Sequence, residues 1–70
     1  MQVRAWELIR ALERAGWTVT RTRGSHVIIK RDGHTVSVPV HGGGKTLAEG
    51  TLQGILKRVG LTEYELGQLL

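Results

Sequence analysis

A histidine set just after a glycine, in Gly24-Ser25-His26, is the residue of this chain best suited to move protons. Imidazole both accepts and donates a proton near neutral pH. Arg21, Arg23, Lys30 and Lys45 supply cations around it, and a second histidine, His41, follows Val36-Ser37-Val38-Pro39-Val40. Two imidazoles among cations suit transesterification of an RNA phosphodiester. One takes the proton of the ribose 2′-hydroxyl, another protonates the leaving 5′-oxygen, and the cations stabilise the phosphorane between. His26 is the first candidate for such a role, although periodicity alone favours an ordinary exposed strand histidine. Ser25, Lys30 and His41 are candidates for a second catalytic or phosphate-holding role.

Two other chemistries fit less well. His41-Gly42-Gly43-Gly44-Lys45-Thr46 invites a nucleotide phosphate loop, but that motif needs glycine where this chain has Pro39. The loop amides and the helix after them are left as candidates for a phosphate of another ligand. A metal site is not expected: His34 lies by the opposite turn from His26, and neither has a carboxylate at ligand spacing. No cofactor is expected either.

The elements that must position His26 follow from apolar spacing. From Val3 to Ala15, apolar residues at Ala5, Leu8, Ile9, Leu12 and Ala15 predict a helix with one buried stripe, ended by Gly16. Val3 and Trp6 flank that stripe and are expected in the core. From Trp17 the period becomes two. Asp32-Gly33 is a strong two-residue hairpin signal, pairing Arg31 with His34, Ile29 with Val36 and Val27 with Val38. A three-residue loop, Thr22-Arg23-Gly24, would then bring Val19 opposite Val27. The result is a three-stranded antiparallel meander with a Val/Ile face and an open polar face of Thr18, Thr20, His26, Ile28, Lys30, Thr35 and Ser37. His26 falls opposite Pro39, and His41 would continue the same face.

A second helix is expected with Ala48, Leu52, Ile55, Leu56 and Val59 buried, Thr46 with Glu49 as its capping box, and Gly60 at its end. Gly50 and Gly54 weaken it, which close packing on the sheet would explain. Thr62 and Glu65 cap a short third helix carrying Tyr64, Leu66, Leu69 and Leu70. Both main helices should cover the Val/Ile face, making one two-layer α+β domain over residues 1–70.

Ten Lys+Arg against six Asp+Glu give the 70 residues a net charge of +4, with a pI near 10.4. That balance favours an anionic partner such as RNA, with Arg21, Arg23, Lys45, Lys57 and Arg58 as contacts. There is no cysteine and no apolar run of membrane-spanning length, so a complete cytoplasmic protein is expected, with no membrane partner. So short a chain buries only ~60% of its unfolded surface, and a monomer or weak dimer would gain from a partner. Ile28, an apolar residue amid the polar face, is the candidate partner contact.

Ala15-Gly16-Trp17, Arg23-Gly24-Ser25-His26, Val36-Ser37-Val38-Pro39, Gly50-Thr51-Leu52 and Ile55-Leu56-Lys57-Arg58-Val59-Gly60-Leu61 occur here in one order and spacing. In these pieces the chain resembles the HicA (YcfA-like) toxins over about residues 3 to 61. The resemblance implies a double-stranded-RNA-binding-like α-β-β-β-α fold and an mRNA endoribonuclease (interferase) whose catalytic histidine lies in the Gly-Ser-His motif, here His26. It also implies a HicB-type antitoxin that covers the site. Relatives often carry a bulky polar or aromatic residue after that histidine, where this chain has Val27. Two other readings compete: a non-catalytic RNA-binding module of the same fold, and a subunit that binds only protein through Ile28 and the open face.

Overall fold

The computed structural model describes residues 1–40 and 44–70. The apolar stripe at Ala5, Leu8, Ile9 and Leu12 winds into helix α1 (Ala5–Arg14) and is buried along its length. Two reversed bonds close the helix: Gly16 N–H donates to the Glu13 carbonyl and Trp17 N–H to that of Leu12, each at 3.0 Å. Gly16 takes a positive φ of 98° to make them, which is why glycine suits the position. Val3 is buried as expected, whereas Trp6 is 48% exposed. One residue on from Ala5 turns a helical side chain by about 100°, which carries Trp6 off the buried stripe.

Strands β1 (Thr18–Arg23), β2 (His26–Arg31) and β3 (His34–Pro39) form one antiparallel sheet in the order β1-β2-β3. Asp32 and Gly33 both have positive φ, 48° and 82°, so the β2–β3 turn is the tight type expected. The pairs Arg31–His34, Ile29–Val36, Val27–Val38 and His26–Pro39 follow from it.

The β1–β2 register differs from the expectation. The turn is the two-residue Gly24-Ser25, with Arg23 opposite His26, Arg21 opposite Ile28, and Val19 opposite Ile29 instead of Val27. The ladder shifts between Val19 and Arg21, so Thr20 is an extra residue, a β-bulge. Its hydroxyl donates to the Ile28 carbonyl at 3.1 Å. The two-residue turn sets Arg21 and Arg23 on the face that carries His26, and the bulge returns Val19 to the core side.

Helix α2 (Glu49–Val59) buries Leu52, Ile55 and Leu56, with Val59 packed against the core. It ends at Gly60, as expected, where φ is 76°. Its start departs from the expected capping box: Ala48 precedes it without a side-chain cap and is exposed. Thr46 instead pairs with Arg4 in an isolated bridge, and Leu47 N–H donates to the Val3 carbonyl at 2.8 Å. Gly50 and Gly54 are not sites of close packing either, because a Cβ on either would meet nothing within 4 Å.

Helix α3 (Glu63–Leu69) has the predicted cap: Glu65 N–H donates to Thr62 Oγ1 at 3.1 Å and Thr62 N–H to Glu65 Oε1 at 2.9 Å. Leu66 is buried, Leu69 packs against the core, and Tyr64 and Leu70 are exposed. Gln53 Nε2 joins the two helices, donating to Glu49 Oε1 at 3.0 Å and to Glu63 Oε2 at 2.8 Å. The Gln53 amide, helped by the N-terminal ammonium, holds the Glu49 carboxyl below its ordinary pKa. Since the folded value is the lower one, this contribution is present above the ordinary carboxylate range and is lost on acidification.

Residues of all three helices join Val27, Ile29, Val36 and Val38 in one apolar core. None of the described helices is long and apolar enough to cross a membrane. Replacing Thr62 by Ala should destabilise the fold by about 0.5–2 kcal/mol, the usual effect of losing such a cap. Chemical denaturation would show it as a lower midpoint at unchanged slope.

Candidate active site

Residues opposite one another in an antiparallel pair share a face of the sheet. By that rule His26 has Arg23 on one side and Pro39 on the other, while Ile28 lies between Arg21 and Ser37. Cross-strand neighbours of this kind have Cβ atoms about 4.5–5.5 Å apart. His26, Arg21 and Arg23 are exposed, and Ile28 and Ser37 are half-buried. Ser25 is exposed in the turn, where its carbonyl accepts the Val40 N–H at 2.7 Å.

Beside this face the sheet and α2 enclose a groove of about 330 Å³. His26, Ser37 and Pro39 form the sheet wall, and Gly50, Thr51, Gly54, Ile55 and Arg58 form the helix wall. Helix geometry makes the second wall, because residues four apart stack on one side. Gly50, Gly54 and Arg58 are so spaced, while Leu52 and Leu56 point into the core.

The expected cations therefore separate. Arg58 lines the groove with His26. Arg21 and Arg23 sit on the same sheet face, one strand away. Lys45 lies in an adjoining hollow that shares Pro39 and Thr51 with the groove. Lys30 shares the His26 face, but four residues along a strand place it about 13 Å away. Lys57 is exposed on α2 and is not among the residues lining the groove. His41 lies outside the described residues. His34 lies in another hollow with Trp17, Arg31 and Asp32, which shares Arg58 with the groove. Among the described residues no three His, Cys, Asp or Glu side chains gather as a metal site.

The helix wall was not foreseen. Its one sequence signal was the pair of glycines, four apart, in a helix that gains nothing from them.

Residues 5–61 match the family model described as "HicA toxin of bacterial toxin-antitoxin". No curated protein matches the chain. An α+β fold with a three-stranded antiparallel sheet fits this class of small toxin. The match spans most of the chain, and the protein belongs to the HicA toxin family.

Proposed function

We propose that this toxin is a metal-independent endoribonuclease that cleaves mRNA, with His26 as a general acid/base. One observation carries the reading: His26 stands on the sheet wall of a groove whose helix wall includes Arg58. A phosphodiester in that groove would meet a proton acceptor or donor and a cation together, the combination that transfer to a 2′-oxygen needs. Arg21, Arg23 and Lys45 extend the positive surface along which RNA would run, and Lys57 adds to it on α2.

The proposed partner is a HicB-type antitoxin in the cytoplasm. Half-buried Ile28 offers it an apolar contact beside the groove, so a bound antitoxin would also shut out RNA.

The test is induced expression of wild type and His26→Ala in a bacterium, with growth and bulk mRNA integrity read together. Arrest with mRNA loss for wild type, and neither for a folded His26→Ala, is the expected result. If both proteins are harmless, or both equally toxic, catalysis by His26 is excluded and an RNA-binding module becomes the better reading.

A further inference from the structure

We infer that the α2 face is the second half of the reaction site: Arg58 contacts the phosphate that reacts, and Gly50 and Gly54 leave a bare wall for a single unpaired nucleotide. This rests on the ribonuclease reading and adds to it a catalytic residue and the form of the substrate.

The glycines lead the argument. Glycine is among the poorest formers of a helix interior, yet α2 has two of them one turn apart. Neither has a positive φ, and a Cβ on either would meet nothing within 4 Å outside its own helix backbone. Backbone geometry and packing therefore leave both positions open to other residues. What the two share is a place in the lining of the His26 groove. Any longer side chain there would project into the space between α2 and the sheet.

Size and chemistry define the occupant. About 330 Å³ is at the low end of small-ligand sites, roughly 300–1,000 Å³. A space of that size seats about one nucleotide of a strand. Cleavage through the 2′-oxygen adds a requirement. The attacking oxygen must lie in line with the departing 5′-oxygen, an alignment that regular A-form helix denies and a splayed, single-stranded nucleotide allows.

Arg58 is the one cationic side chain lining the groove among the described residues. A guanidinium offers paired donors that match two phosphate oxygens. In the step itself the 2′-O–P bond forms and the P–O5′ bond breaks. The 2′-hydroxyl proton goes to a base, and an acid supplies one to O5′. The products are a 2′,3′-cyclic phosphate and a 5′-hydroxyl, with no oxidant or water consumed. Arg58 gives no proton and holds the charge that builds on the equatorial oxygens.

The test uses the whole protein and a short single-stranded RNA, with cleavage followed at saturating protein. Binding is measured separately on the same oligonucleotide carrying a 2′-deoxy sugar at the cleavage site. Arg58→Ala should slow cleavage at saturation by about 10²–10³-fold, as loss of one transition-state donor does, with the deoxy oligonucleotide bound nearly as before. Arg58→Lys should recover part of the rate. Gly54→Leu should raise the melting temperature, because leucine is the better helix former, and weaken oligonucleotide binding on the order of tenfold, the loss of about one good contact.

A rate at saturation unchanged in Arg58→Ala, with only binding weakened, would make Arg58 a backbone anchor and overturn its role at the reacting phosphate. Wild-type binding and cleavage by Gly54→Leu would overturn the wall. Should folded wild type cleave no RNA, the ribonuclease reading fails and takes the role of Arg58 with it. The wall is then judged by the deoxy oligonucleotide alone: weaker binding by Gly54→Leu keeps it, and unchanged binding removes it.

Discussion

Purified His26→Ala is expected to keep its fold and to cleave RNA roughly 10²–10⁴-fold more slowly, the usual contribution of a positioned acid or base. His26 is exposed at the start of β2, and its ladder partners Arg23 and Pro39 are held by main-chain pairing that alanine preserves. Exposed positions of this kind usually change stability by no more than about 0.5 kcal/mol. The melting curve should therefore overlay that of wild type while the cleavage rate falls. His34→Ala is the matched control, being an exposed strand histidine that does not line the His26 groove, and it should cleave as wild type does. Equal loss in both variants would assign the effect to general histidine content. Full activity in His26→Ala would move proton transfer to another group.

Leu52→Ala should be the most damaging to the fold. The side chain is fully buried and belongs to the helix that forms the second wall of the groove. Leucine-to-alanine changes at such sites destabilise by about 2–5 kcal/mol. A 70-residue chain at the usual ~0.05–0.15 kcal/mol per residue has only roughly 4–10 kcal/mol in all. A large part of the stability would go, and urea denaturation should show a midpoint shifted far down. Cleavage should fall in step with the unfolded fraction and return when low temperature or an added stabilising osmolyte refolds the chain. That recovery separates it from His26→Ala, which no refolding condition should rescue.

The Asp32-Gly33 half of the meander was legible because the turn leaves little freedom. Two residues of positive φ set one register, and every β2–β3 pair follows. At the other end the residues permitted two answers. A two-residue Gly24-Ser25 turn with an unbroken ladder would set Val19 opposite Lys30, on the polar face. Lengthening the turn by one residue restores Val19 to the core, and so does one extra residue within the strand. Apolar alternation is satisfied either way, and a bulge has no strong residue signature of its own. The protein uses the bulge at Thr20, which keeps the two-residue turn, and that turn puts Arg21 and Arg23 directly beside Ile28 and His26. The helix wall was hidden for a different reason. Glycines in a helix read as weakness until the course of α2 along β3 shows what they face. Trp6 was misplaced because bulk and apolarity suggested burial, while its angle on α1 decided against it.

The same bulge bears on how the toxin behaves among copies of itself. In the order β1-β2-β3, β1 is an outer strand, and five of its six residues are exposed. A long, flat outer strand invites another strand to add to it, and so begins aggregation. Here the ladder is broken at Thr20, the local twist rises, and two guanidiniums follow within three residues. A second copy approaching that edge meets a crooked template and like charge. The irregularity that returns Val19 to the core thus also makes this edge a poor template for a second copy.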